Sequence, residues 1–315
     1  MLTPESRAQW SERLQRLEQP LAIDPVLLWD LVLPLLSWLE HRCADRQRRV
    51  VIGLTAPVGS GKTTLAGQLA ELAGLLPLRL AVASIDDAYR PWSERRQRLA
   101  GNPFGVNRVP PGSHDPDLFT AAIAAWREGA ALHLPRFDKR LNQGHGDRAE
   151  PITVRADALL IEGWLMGYQP VSAARLDSWL LSTSMDLSDA ERGWLPCWNR
   201  ALEAYQSLWT SCDGFWVLQP QRWTQVKRWR LQAESRQRRQ GLVATTGNGG
   251  ITAKAAMTAS EVSSLVRASL ASLPPALYHQ DLLPRAELVA TLDGRRRCLR
   301  VESGAQASVS SSLIG

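Results

Sequence analysis

The stretch VVIGLTAPVGSGKTTL, Val50 to Leu65, decides the fold. It begins as a β-branched apolar run, turns through closely spaced glycines, and continues into apolar positions at helical spacing from Lys62 to Leu72. Strand, loop and helix therefore follow one another directly. The loop APVGSGKT, Ala56 to Thr63, fits the phosphate-binding (Walker A) pattern with alanine in place of its first glycine. Successive backbone N–H groups converge on an anion where a strand end meets a helix start, so the context supports the pattern.

In such a loop Gly59 and Gly61 let the backbone bend toward phosphate, and Ser60 and Thr64 complete the cradle. Lys62 spans the β- and γ-phosphates of ATP, and Thr63 gives its hydroxyl to Mg²⁺. The bland reading is a glycine turn before a helix, with Lys62 a surface charge.

Two further apolar runs end in acids. Leu78 to Ile85 stops at Asp86 and Asp87, and Ala158 to Ile161 stops at Glu162 and Gly163. Both read as buried parallel strands whose carboxylates stand at the C-terminal edge, where open α/β sheets bind ligands. Asp86 is placed to take the proton of an acceptor hydroxyl, and Glu162 to help hold Mg²⁺. Asp87 would face the other way if its strand continued. The ordinary role of either aspartate is to cap a turn.

Between these strands lie a turn-rich stretch from Gly101 to Ser113, a helix from Pro116 to Arg127 and a polar loop from Asp138 to Pro151. Arg108, His114, Arg136, Lys139 and Arg148 fall in or beside the two loops and are candidates to grip a carboxylate, with the solvated loop charge as the alternative. Asp115 and Asp138 adjoin His114 and Lys139, and with Asp87, Tyr89 and Trp164 they complete the candidate substrate set. The histidines are too dispersed to form a zinc motif.

Helical spacing also marks Ser6 to Leu17, Pro25 to Cys43, Ala173 to Leu181, Trp198 to Ser211, Gln221 to Gln240 and Val262 to Leu273, with strands at Gly214 to Leu218 and Glu287 to Leu292. The organisation expected is an N-terminal helical extension (1–48), an α/β domain (49–302) with ligand loops at 101–115 and 136–151, and a disordered serine-rich tail (303–315). TTGNGG, Thr245 to Gly250, reads as a flexible loop. The fold class is a three-layer α/β/α sandwich on a mostly parallel sheet, of the P-loop NTPase type.

The chain has 315 residues, 44% of them hydrophobic, enough for a large core without disulfides. Its four cysteines form no CxxC pair, which suits a reducing, cytoplasmic setting, and no apolar run is long enough to span a bilayer. The formal charge of +6 suits anionic ligands as well as it suits nucleic acid.

APVGSGKTTL, SIDDAY (Ser84 to Tyr89), GNPF with PGSHD (Gly101 to Asp115), LPRFDK (Leu134 to Lys139), GDRA (Gly146 to Ala149), IEGWLMGY (Ile161 to Tyr168) and WRLQAE (Trp229 to Glu234) occur in that order. Together they resemble the D-glycerate 3-kinase family, a branch of the phosphoribulokinase, uridine kinase and pantothenate kinase group. The resemblance implies ATP, Mg²⁺ and transfer to the primary hydroxyl of D-glycerate, giving 3-phosphoglycerate in photorespiratory salvage. It places Asp86 at the catalytic aspartate of the wider group. It also suggests a lid over 221–250 whose arginines, Arg228 or Arg230, meet the transferring phosphoryl group, against a plain solvated helix face. Ala88, where relatives carry an aromatic, and the proline-rich NRVPPGSHD depart from the pattern. Two alternatives remain at this point. One is a related kinase of a nucleoside, pantothenate or a sugar; the other is a regulatory NTPase whose basic helix contacts nucleic acid, which the lack of interleaved aromatic and basic residues disfavours. No membrane or nucleic-acid partner is expected, and the sequence does not determine the oligomeric state.

Overall fold

In the computed structural model, residues 2–17, 23–44, 49–245 and 257–312 are described. Helices α1 (Pro4–Leu14), α2 (Pro25–Leu27) and α3 (Leu33–Ala44) precede strand β1 (Val50–Thr55) and helix α4 (Lys62–Ala73). Then come β2 (Leu80–Ser84), α5 (Trp92–Arg98), α6 (Asp117–Arg127), β3 (Leu132–Asp138), β4 (Asp147–Val154) and β5 (Ala158–Gly163). Helices α7 (Ala173–Ser182), α8 (Asp189–Ala201) and α9 (Gln206–Ser211) lead to β6 (Gly214–Pro220). Next are α10 (Gln225–Thr245), α11 (Ala259–Ser272), α12 (Pro275–Leu282), β7 (Ala286–Leu292), β8 (Cys298–Glu302) and α13 (Gly304–Ser312).

The main sheet has the order β2-β5-β1-β6-β7-β8; all neighbours are parallel except β7 and β8. Successive residues of its central strands bury on opposite faces, as the pleat requires. Val51, Leu159, Ile161, Phe215 and Val217 join one core with Phe119 and Trp126 of α6, Trp198 of α8 and Tyr278 of α12. Ile52, Leu54, Leu160, Trp216 and Leu218 join the other with Leu69 of α4, Leu35 of α3 and Trp10 of α1. Helices thus cover both faces, as expected, and α1 and α3 share the core of the sheet. Among the described residues no helix is long and apolar enough to cross a membrane.

Three local expectations need correction. The helix over Pro25 to Cys43 is interrupted by a π turn at Leu28–Val32, where the Leu33 N–H reaches back to the Leu28 carbonyl. Pro34 has no N–H for an α-helical bond, which accounts for the change of pattern there. The polar loop from Asp138 to Pro151 is the tip and second strand of a β3–β4 hairpin. No residue of β4 is buried, so its sequence shows no alternation; its partner β3 carries the buried Leu132 and Leu134. The tail also departs from expectation: the backbone is helical over Gly304–Ser312. Ser303 and Gln306 cap that helix reciprocally, and Ala307 is buried. Of the expected TTGNGG loop, 246–250 lie outside the described residues.

Candidate active site

β1 hands the chain to the phosphate loop at Thr55, and α4 starts at Lys62. Gly59 and Gly61 both have positive φ, 79° and 97°. At Gly59 a Cβ would also stand 2.6 Å from the backbone nitrogen of Arg230, so glycine lets the loop lie against α10. Arg296, in the turn after β7, fixes the two together: its Nε donates to the Gly59 carbonyl at 2.8 Å and its Nη2 to the Trp229 carbonyl at 2.7 Å. The first-turn N–H groups of α4 have no intrahelical acceptor and suit an anion.

Sheet order brings the acids to this loop. Glu162 pairs in register with Leu54 of β1 on one side and Ser84 of β2 on the other. Buried Glu162 accepts the Thr63 hydroxyl on Oε1 at 2.8 Å, and Lys62 Nζ stands 3.8 Å from Oε2, which has no hydrogen-bond partner. Asp86 lies two residues beyond Ser84, on the same edge. Its Oδ2 accepts from Lys139 at 2.9 Å, and His114 Nε2 stands 3.7 Å from its Oδ1. Burial pushes the Asp86 carboxyl up, but Lys139 and His114 outweigh it and hold the group well below the usual carboxylate range.

The remaining predicted residues divide. Ser60 is buried with its hydroxyl unpartnered inside the loop, and Thr64 lies in the first turn of α4. Arg108 holds Nη1 buried without a partner. Arg136 is exposed on the hairpin, opposite Ala149. Others serve local structure. The strand stops at Ser84, and Asp87 accepts the Ser84 N–H in a reciprocal cap instead of facing outward from a continued strand. Tyr89 is buried, stacked on His114. Arg148 is taken up by Asp115 at 2.6 Å, and Asp138 by Arg140, which holds its carboxyl down to about 2 through side-chain and backbone hydrogen bonds. Trp164 lines a small cavity behind the phosphate loop with Thr55, Pro57, Tyr168, Trp223 and His279, none of them from the Asp86 cluster. On α10, Arg230 pairs with Glu234, and Arg228 donates to the Gly294 carbonyl at 2.5 Å.

Sequence reasoning missed Arg95, Arg296 and Tyr205. Arg95 is fully buried and donates to the carbonyls of Arg90, Asn107, His145 and Gly146, tying both ligand loops to α5. Nothing in one sequence separates it from its neighbours Arg96 and Arg98. The positive φ of Arg296, 66°, follows from the tight DGRRR turn, whose composition was the available signal.

A chloroplastic D-glycerate 3-kinase of Arabidopsis thaliana is 32% identical over 236 residues, 68% of this chain and 49% of that protein. The chain is similar to the D-glycerate 3-kinases. It spans about half the length of that plant relative. An uncharacterized kinase of Schizosaccharomyces pombe is 29% identical over 213 residues, covering 64% of this chain and 75% of that protein. The solved D-glycerate 3-kinase of Cryptococcus neoformans superposes with a TM-score of 0.68 at 26% identity, over 87% of this chain and 99% of that one. That likeness gives the P-loop kinase fold for nearly the whole of the solved protein. No protein-family model matches the chain.

Proposed function

We propose that this chain transfers the γ-phosphoryl group of ATP to the primary hydroxyl of D-glycerate, giving 3-phosphoglycerate, the step that would close photorespiratory salvage. The observation that carries the reading is the shared sheet edge: the Lys62, Thr63 and Glu162 cluster lies beside Asp86, one strand away.

Lys62 and the N–H groups of the phosphate loop hold the β- and γ-phosphates, with Gly59, Ser60, Gly61, Thr63 and Thr64 forming the cradle. Arg230 lies with its backbone over Gly59, which supports a role for it at the nucleotide. Thr63 and Glu162 present a hydroxyl and a carboxylate, hard oxygen donors that fit Mg²⁺, and the buried Oε2 of Glu162, which accepts no hydrogen bond and lies 3.8 Å from Lys62 Nζ, suits a cation. Held by Thr63 and Glu162, Mg²⁺ would neutralise charge building on the phosphate oxygens.

Asp86 receives the hydroxyl proton. Its pKa is low while Lys139 is bound to it, so orientation of the hydroxyl contributes more than basicity. Lys139 is half exposed on the hairpin and free to turn toward the substrate carboxylate. The orphan Nη1 of Arg108 supplies a second donor for that carboxylate, with Arg136 at the rim. The four free thiols support a reducing, cytoplasmic setting.

A panel of D-glycerate, uridine, pantothenate and fructose with ATP tests the reading. D-glycerate alone should support rapid ADP release, and Asp86→Asn should abolish that release while still binding ATP. Equal rates with a nucleoside or sugar would overturn the assignment.

A further inference from the structure

Beside Asp86 stands a buried ring whose two nitrogens have different surroundings. His114 is 1% exposed and lies flat on Tyr89 at a centroid distance of 4.3 Å. Its Nε2 makes no hydrogen bond and faces Asp86 Oδ1 at 3.7 Å, just beyond bonding range. Its Nδ1 is 2.9 Å from the hydroxyl of Tyr205, a fully buried residue in the single turn Leu202–Tyr205 between α8 and α9. The Gly112 N–H donates to the same Tyr205 oxygen at 3.3 Å, and the backbone of His114 bears on it as well.

A phenol has one proton to donate. With the Gly112 N–H directed into its oxygen, that proton finds its acceptor in His114 Nδ1. A neutral imidazole that accepts at Nδ1 carries its own proton on Nε2, the nitrogen facing Asp86. Burial favours the neutral ring and outweighs the pull of the Asp86 carboxylate toward a second proton, with Arg95 and Lys139 adding to the burial effect.

We propose that Tyr205 and His114 form a donor chain that fixes the Nε2–H tautomer and aims that N–H at Asp86. His114 is then a positioning residue for the carboxylate, and Tyr205 sets its tautomer; this rests on the reading of Asp86 given above. The device matters because Lys139, the other partner of Asp86, is half exposed and can leave when an anionic substrate enters. His114 is held by Tyr89 and Tyr205 and stays. The groups bearing on Asp86 are Lys139, His114, Asp87 and Tyr89, and Arg90 bears on Tyr205.

Long-range nitrogen–proton NMR correlation on the histidine-labelled full chain should show His114 in the Nε2–H form, and Tyr205→Phe should disturb that pattern. In Tyr205→Phe and His114→Leu, kcat should fall about tenfold, the size of the charge-assisted hydrogen bond that the Nε2–H closes onto Asp86 once Lys139 leaves. KM for ATP should hold, and the acid limb of the kcat profile should move to higher pH. His114→Gln, which keeps an N–H at similar reach, should recover part of the loss. An Nδ1–H pattern in the wild type would overturn the proposal, as would both variants losing thermal stability while keeping the wild-type acid limb. Asp86→Asn separates the two readings: activity there removes Asp86 as the proton acceptor, whereas the nitrogen spectrum decides the tautomer regardless.

Discussion

Lys62 has one conspicuous partner in this structure, Glu162 at 3.8 Å, and Glu162 in turn holds Thr63. Replacing Lys62 with alanine removes a cation from the place where the proposed reaction would build phosphate charge. Steady-state kinetics of Lys62→Ala should show kcat/KM for ATP reduced by about 10²- to 10³-fold, with little change in melting temperature. Wild-type turnover would remove the phosphate site. That Lys62, Thr63 and Glu162 would meet was legible, because the loop pattern and the strand-end acid fix their places on one sheet edge. Asp87 was not, since two adjacent aspartates at a strand end look alike until the strand is seen to stop at Ser84. Arg148 and Asp115 show the same limit: loop charges that read as ligand groups satisfy each other.

The ligand loops depend on elements that carry no motif. α5 presents Arg95 to four backbone carbonyls, with the guanidinium over Tyr89, Trp92 and Phe137. Arg95→Met keeps the length but strips the donors, and should cost about 3 kcal/mol or more in denaturant unfolding. Because these carbonyls belong to the loops around Asn107 and His145, KM for glycerate should rise more than KM for ATP. Unchanged stability would show that water replaces the guanidinium. At this scale the parallel strands of the main sheet were readable from sequence. The hairpin was not, because β4 borrows its position from β3 and has no apolar face of its own. The serine-rich helix at the end escaped notice because its helical signal is a local cap and its packing surface is alanine.

Across the whole molecule, the two cores meet through a sheet whose order sets Glu162 between the phosphate loop and Asp86. Strand runs and their terminal acids pointed to this edge in the sequence, whereas the helices behind it were visible only as amphipathic segments or, for α12, not at all. One of them carries a pH sensitivity. His279 of α12 is buried, and burial pushes its pKa down to about 4. Above the ordinary value of 6.5 both folded and unfolded states are neutral there. As pH falls below 6.5 the unfolded chain takes up a proton that the fold resists, so stability declines until about pH 4, by about 3 kcal/mol in total. Urea titrations at stepped pH should show that decline in the wild type and a flatter curve in His279→Phe; parallel curves would assign the acid sensitivity elsewhere. The assembled edge itself answers to a single product analysis, proton–phosphorus correlation NMR after incubation with ATP, Mg²⁺ and D-glycerate. The phosphorus of the product should couple to the two protons on C3, as in 3-phosphoglycerate. Coupling to the lone C2 proton, or ATP consumption with glycerate left intact, would contradict the account.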